Sequence, residues 1–152
     1  MDESIKDVHS LDLAAKICDT FELKGQEPGQ YSPLALAYIG DGIYDLVIRT
    51  MVVEQGNARA NQLHRKVSAM VKAATQAQMI HVIEPLLTEK EQAVYHRGRN
   101  AKSYTKAKNA SMIDYRCATG FEALMGYLYL DHQTDRILEL VKYALQEGEY
   151  NA

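Results

Sequence analysis

The sequence predicts an all-α fold, and three observations carry that prediction. Residue types that favour helices, namely Ala, Leu, Glu, Lys, Gln and Met, are abundant. Only three prolines occur in 152 residues. No Asn-Gly or Asp-Gly pair lies between two alternating apolar runs, so the usual signal of a β-hairpin is missing.

The N-terminal part divides into a tail, a short helix and a long helix. Residues 1–9 are predicted to be a flexible tail, and apolar positions within 11–21 predict the first helix. Ser32 and Pro33 form a typical helix start, a capping hydroxyl followed by proline in the first turn. The helix after them is apolar around most of its circumference, which predicts a central, buried helix that ends at Gly56.

The middle of the chain contains further helix starts. Asn57 and Ser68 are expected to cap two helices, the second of which stops at Pro85. Thr88 and Glu91 have the spacing of a capping box, which predicts that another helix begins there.

The C-terminal part is predicted to contain a loop and two helices. Residues 97–110 have few apolar positions and read as a basic, exposed loop. An apolar helix is predicted over 111–130 and a final helix from Thr134. Because no repeat, low-complexity tract or linker divides the chain, residues 1–152 are predicted to form a single domain.

The basic residues are unevenly distributed, although the net charge is −3. Residues 55–83 and 92–113 hold nine of the seventeen Lys and Arg and none of the twenty Asp and Glu. A polyanion responds to such a local field rather than to the average charge. Two solvated helical faces would give the same pattern, so composition alone leaves nucleic-acid binding open.

The sequence contains no signal for a membrane or for export. It has no run of eighteen apolar residues, and the acidic N-terminus leads into no apolar segment. Cys18 and Cys117 lack the spacing of metal ligands, so they are predicted to be ordinary buried thiols of a cytoplasmic protein.

Carboxylates stand inside the two most apolar helical segments. Asp41 and Asp45 are four residues apart and therefore share a helix face. Glu122 is the only acid in residues 118–127. A buried carboxylate is costly unless it is paired or binds a metal. On the helix of Asp41 alone, a helix-to-helix contact with a capped or salt-bridged Asp is the favoured explanation.

The glycines beside these acids suggest how two carboxylates come together. Gly40 and Gly42 flank Asp41, and glycines also lie near Glu122. Such glycines indicate close approach by another backbone or by a ligand. Two converging carboxylates suit Mg²⁺, which keeps several waters and needs only one or two protein carboxylates. A magnesium ion beside a basic surface is typical of enzymes that hydrolyse phosphodiesters, because the metal activates water and stabilises the leaving oxygen.

At these residues the chain resembles a known family. Residues 36–44 resemble the signature of the ribonuclease III catalytic domain, in which a Gly-Asp pair lies on a buried helix. Residues 119–131 resemble the second catalytic segment of that family, Phe-Glu-Ala-Leu followed by Gly and an apolar run. The resemblance extends from about 32 to 145 and implies a ribonuclease III-type helical bundle in which Asp41 and Glu122 are catalytic and bind Mg²⁺.

Two acids of the standard family pattern are replaced in this chain, by Ala37 and Thr119. Both replacements are similar to the Mini-III subgroup, as are residues 97–102 and a length that leaves no room for a double-stranded-RNA-binding domain. The resemblance therefore implies two acids per site rather than four. It leaves open how a second metal would be held, and Asp45 is a candidate outer-shell helper.

The resemblance further implies a homodimeric endoribonuclease that cuts double-stranded RNA. Each subunit would cut one strand with a metal-activated water, leaving 5′-phosphate and 3′-hydroxyl ends, and the natural substrate would be the 23S ribosomal RNA precursor. Tyr38 aligns with a position that packs across the dimer two-fold, although it would serve equally as ordinary core. The residues expected to bind RNA are Arg97, Arg99, Lys102, Lys106 and Lys108.

Two other classes of function are weighed against this hypothesis. A catalytically inert, helical RNA- or ribosome-binding module would share the fold and the basic middle region, but it leaves the acids in two apolar helices unexplained. A helical protein-interaction domain explains neither feature.

Overall fold

The computed structural model describes residues 12–101 and 111–148, and all regular secondary structure in these residues is helical. The α-helices are α1 (Leu13–Thr20), α2 (Pro33–Gln55), α3 (Ala60–Val71), α4 (Ala73–Ile83), α5 (Glu89–Arg99), α6 (Met112–Leu130) and α7 (Thr134–Glu147). Short 3₁₀ turns lie at Pro28–Gln30 and Glu84–Leu86. The predicted all-α fold is confirmed, and the predicted tail at 1–9 lies outside the described residues.

Helix α6 is the centre of the bundle. It packs against α2, α4, α5 and α7, and α2 makes its largest contact with α6. From Cys117 to Tyr129, Glu122 is the one residue of α6 that is not buried. Helix α2 was predicted to be buried around most of its circumference, and this is wrong for the single chain, because Leu34, Tyr38 and Leu46 are exposed on it.

Two of the four predicted caps, Ser32 and Thr88, are confirmed by their hydrogen bonds. Ser32 Oγ accepts a hydrogen bond from the Ala35 amide (3.1 Å), and Ser111 caps α6 in the same way. Thr88 and Glu91 form the predicted capping box at the start of α5. Each cap satisfies an amide that has no partner within its own helix.

The predicted caps at Asn57 and Ser68 are wrong. Helix α3 begins at Ala60, and Ser68 is an exposed residue within it. The helical segment is instead interrupted at Lys72, between α3 and α4. Two side chains from the first turn of α4 donate hydrogen bonds to carbonyl oxygens near the end of α3. Thr75 Oγ1 donates to Ala69 and Gln76 Nε2 donates to Val71, both at 2.7 Å. These bonds satisfy carbonyls that a helix end leaves without partners.

The predicted loop at 97–110 is partly wrong. Arg97, Gly98 and Arg99 form the last turn of α5, and Gly98 is buried. A Cβ atom at Gly98 would lie 2.7 Å from the Cβ of Ala123 on α6. Glycine at this position lets the last turn of α5 pack closely against α6. This packing outweighs the low helix propensity of glycine. Residues 102–110 lie outside the described part of the chain.

A buried ion pair connects α7 to α5. Both oxygens of the Glu91 carboxylate accept hydrogen bonds from the Arg136 guanidinium, at 2.8 and 2.9 Å. Arg136 also donates to the carbonyl oxygen of Leu86 (3.0 Å). Hydrogen bonding from Arg136 lowers the pKa of Glu91 despite its burial.

Within the described residues, no helix is long and apolar enough to cross a membrane.

Candidate active site

Helices α2 and α6 approach each other so closely at two points that their backbones touch. A Cβ atom at Gly40 would overlap the backbone carbonyl of Glu122, and one at Gly126 would overlap the carbonyl of Leu36. Only glycine fits at either place, which confirms the close approach that the sequence predicted for Gly40. It does not hold for Gly42, which has open space around its α-carbon.

This approach brings the two predicted catalytic acids together. Asp41 directly follows Gly40, and its carboxyl group interacts with the Glu122 carboxyl by hydrogen bonding and by charge. Burial, together with the hydrogen bond and charge of Asp41, raises the pKa of Glu122 to about 9. Without a bound cation, Glu122 therefore keeps its proton at neutral pH. A cation bound between the two groups would stabilise both carboxylates in the charged form, so Glu122 would lose that proton.

The two acids are less enclosed than the sequence suggested. Asp41 was expected at a core position, and this is wrong, because it is exposed at the surface of α2, while Glu122 is half-buried. The pair is thus open to solvent on the Asp41 side and closed on the Glu122 side. Asp45, the candidate outer-shell residue, accepts a hydrogen bond from Arg49 one turn later (2.6 Å).

A third side chain at this site was not singled out by the sequence. Gln76, in the first turn of α4, is only 2% exposed, and hydrogen bonding from it lowers the pKa of the Glu122 carboxyl. Its Nε2 donates to the Val71 carbonyl, whereas its Oε1 is buried and has no hydrogen-bond partner among the described residues. No sequence signal pointed to Gln76, because its place depends on the break between α3 and α4.

The groups at this site suit Mg²⁺. No cluster of three or more His, Cys, Asp and Glu that would hold a metal occurs in the described ranges. Two carboxylates and an amide oxygen are hard oxygen donors, and Mg²⁺ binds through one or two carboxylates while keeping several waters. The unpartnered Gln76 Oε1 supplies an acceptor for such a water. Asp41 and Glu122 would hold the ion.

The residues predicted to bind RNA fall partly within the described chain. Arg97 and Arg99 are exposed on the last turn of α5, and one nitrogen of Arg97 donates to the Gly29 carbonyl at 3.3 Å. Lys102, Lys106 and Lys108 lie outside the described residues. The basic side chains of the other acid-free stretch, which are also exposed, are Arg59, Arg65, Lys66 and Lys72.

Tyr38, predicted at a dimer two-fold or in the core, is 84% exposed in the single chain. The core alternative is therefore wrong. Leu34, four residues earlier on the same helix face, is also exposed. Tyr38 lies one turn before Asp41, so this apolar surface borders the acidic pair.

Comparison with known proteins gives consistent similarities. The Ribonuclease III domain family matches residues 34–133. The Mini-ribonuclease 3 of Enterococcus faecalis is 47% identical over 125 residues, covering 80% of this chain and 95% of that protein. The Clostridium tetani Mini-ribonuclease 3 is 46% identical and covers 82% and 83%. A crystal structure of a Fusobacterium nucleatum protein superposes with a TM-score of 0.73 at 28% identity, covering 83% of this chain and all of that one.

Proposed function

Because this chain belongs to the ribonuclease III family, and is therefore an endoribonuclease, we propose that it cleaves double-stranded RNA at a Mg²⁺ site formed by Asp41 and Glu122. The observation that carries the proposal is the contact of α2 with α6 at Gly40, which sets the two carboxyl groups side by side. The inert RNA-binding module has no need of this arrangement, which raises the pKa of a carboxyl group to about 9.

Each acid has a separate part in the proposed reaction. Asp41 is exposed, so it lies on the side from which an RNA phosphate approaches, whereas Glu122 holds the inner side of the site. When bound, Mg²⁺ supplies positive charge that activates the attacking water and stabilises the leaving oxygen. The proposed products carry 5′-phosphate and 3′-hydroxyl ends.

We further propose that the enzyme works as a homodimer, with Tyr38 and Leu34 on the contact surface. Large exposed apolar side chains four residues apart on one helix give a surface that a two-fold related copy can cover. Since Tyr38 lies one turn from Asp41, the two active sites would border the interface. A duplex lying across both subunits would then present one strand to each site.

The natural substrate that we propose is the 23S ribosomal RNA precursor in a bacterial cytoplasm. The support is the similarity to Mini-ribonuclease 3 proteins over most of the chain. A transcript that contains the paired ends of the precursor should be cut at defined positions. An unrelated duplex of equal length, cut at an equal rate and without preferred positions, would contradict this substrate.

The activity is tested on a labelled RNA duplex in the presence and absence of Mg²⁺. The unaltered protein should cut the duplex but leave the separate strands intact, and chelation of Mg²⁺ should stop the cleavage. Asp41→Asn and Glu122→Gln should each abolish cleavage. Glu122 must take up a proton in the metal-free folded protein, whereas Gln is neutral from the start, so the metal-free Glu122→Gln protein should be no less stable than the original. Cleavage retained in either variant would refute the role given to that residue.

A further inference from the structure

We propose that Gln76 is a positioning residue of this metal site, whose amide holds the Glu122 carboxyl group in place and whose Oε1 accepts a hydrogen bond from a water on the bound cation. This inference rests on the proposed function, because it assumes that Asp41 and Glu122 bind Mg²⁺. It adds a neutral third group, from a third helix, to a site that otherwise consists of two acids.

The orientation of the Gln76 amide is fixed by its surroundings. Nε2 lies 2.7 Å from the carbonyl oxygen of Val71, to which it donates a hydrogen bond. Exchanging the amide nitrogen and oxygen would set two acceptor oxygens against each other at that distance, so the network determines the assignment. The same side chain is almost completely shielded from solvent, and hydrogen bonding from it lowers the pKa of the Glu122 carboxyl group.

The buried Oε1 atom is what points to a ligand. It has no hydrogen-bond partner among the described residues. A buried acceptor without a partner costs about 1–3 kcal/mol, and such atoms in native proteins mark a functional demand or a bound water. Next to two carboxylates suited to Mg²⁺, the natural donor is a water of the cation, because Mg²⁺ gives up its waters reluctantly.

An amide fits this place better than the residues nearest to it in size. A third carboxylate would add like-charge repulsion to a pair that already raises the pKa of Glu122. An apolar side chain would offer neither a donor for Glu122 nor an acceptor for water. Glutamine supplies both at no net charge.

A purely structural role must be separated from this one, because Gln76 also joins α4 to α3. Thr75 offers a matched control. It lies in the same turn, is also buried, and donates an equally short bond to an α3 carbonyl, that of Ala69 (2.7 Å). It is not among the groups that affect the Glu122 carboxyl. Loss of either bond should loosen the same junction, but only Gln76 should affect the cation.

The experiment compares Gln76→Met and Thr75→Val with the unaltered protein. A ligand that binds only the folded state raises the Tm, so Mg²⁺ affinity is read from the dependence of the Tm on Mg²⁺ concentration, and independently by calorimetry. Both variants should lose stability without Mg²⁺. Gln76→Met should weaken Mg²⁺ binding by about 10- to 100-fold, the range for partners that orient metal ligands, while Thr75→Val should bind it as before.

Gln76→Glu is the second variant, and it decides the matter if Gln76→Met does not fold. It keeps the shape and an acceptor oxygen but adds a charge, so its metal-free Tm should fall and its Mg²⁺-induced rise in Tm should exceed that of the unaltered protein. Equal Mg²⁺ affinity of Gln76→Met and the unaltered protein, or a smaller rise in Gln76→Glu, would overturn the inference and leave the proposed function intact. Absence of Mg²⁺ binding in the unaltered protein would overturn the magnesium site itself, and this inference with it.

Discussion

The α-carbon of Gly40 on α2 lies directly against the backbone carbonyl of Glu122 on α6. This contact sets the distance between the two helices at the point where each carries one of the two acids proposed to be catalytic. Asp41 follows Gly40 in sequence, and its carboxyl group interacts with that of Glu122. Both acids lie on helices rather than on loops. Rigid helices hold such a pair more accurately than loops would.

The first prediction compares Gly40→Ala with Gly42→Ala, the same change two residues apart on one helix. A Cβ at position 40 meets backbone, which cannot move aside as a flexible side chain would. Gly40→Ala should therefore lower the free energy of unfolding by about 3 kcal/mol or more, the upper range for overpacking. It should also weaken Mg²⁺ binding, since the helices must separate.

Gly42→Ala is the control, because the space around Gly42 is open. It should raise the free energy of unfolding by about 0.5–1 kcal/mol, the helix-propensity difference between Ala and Gly. Urea denaturation at a fixed protein concentration measures both. Equal effects of the two substitutions would show that the close approach at Gly40 has no energetic weight.

The second prediction concerns the pH dependence of the Glu91–Arg136 ion pair. Since Arg136 lowers the pKa of Glu91, the pair stabilises the fold above the unfolded-state pKa of about 4.3 for Glu, and this stability is lost as the pH falls through the lowered value. Arg136→Leu leaves a carboxylate that is only 5% exposed without its partner. It should cost about 3–5 kcal/mol at pH 7 and progressively less below pH 4.

Glu139→Gln is the matched control for that measurement. Glu139 also bonds Arg136 at 2.8 Å, but its side chain is 68% exposed. Removing this surface partner should cost about 0–1 kcal/mol at any pH. If urea unfolding shows the same cost for both variants, or a cost for Arg136→Leu that does not change between pH 7 and 3, burial is not what gives the Glu91 pair its strength.

Features that depend on neighbouring residues could be predicted from the sequence, whereas features that depend on distant contacts could not. Ser32 and Thr88 cap their helices as predicted, because a cap involves residues three apart in sequence. The break at Lys72 was missed, since it is fixed by side chains of the following helix bonding back to α3. Gln76 was missed for the same reason.

The two acids proposed for the active site show a different limit of prediction from sequence. Asp41 and Glu122 were identified because charged residues are unusual in apolar helices and because both segments resemble a family. The sequence did not reveal that Asp41 is exposed, since the same helix face carries apolar residues such as Tyr38 that are exposed too. Nor did it distinguish Gly40, which touches α6, from Gly42, where an added Cβ atom would meet open space.

The third prediction tests the dimer with Tyr38→Lys. A charged side chain in the centre of a two-fold interface meets its own copy, so the effect of one substitution is doubled. Sedimentation at micromolar concentration should show a dimer for the unaltered protein and a monomer for the variant, with loss of cleavage. Tyr143→Lys, a change of the same kind on the outside of α7, should remain a dimer. A Tyr38→Lys protein that still sediments as a dimer would remove Tyr38 from the interface.

The last prediction is that the basic residues at and just after the end of α5 bind RNA phosphates. Arg97 and Arg99 are exposed, and the sequence adds Lys102 three residues on, with no acid within 92–113. Neutralising all three to Gln should weaken binding of duplex RNA and lower the slope of log K against log salt by about one for each phosphate that the variant no longer binds. The rate at saturating RNA should change little, since Asp41 and Glu122 are untouched.

Electrophoretic or fluorescence titrations at several salt concentrations measure the affinity for duplex RNA and its salt dependence, for the unaltered protein and for the α5 variant. A charge-matched control neutralises three exposed lysines elsewhere, Lys16, Lys24 and Lys142. It changes the net charge of the protein equally, so a purely global effect of charge would appear in both triple variants. Because phosphate binding is local, only the α5 variant should show a weaker salt dependence. Unchanged affinity and slope in that variant would instead direct attention to the exposed basic residues of α3, Arg65 and Lys66.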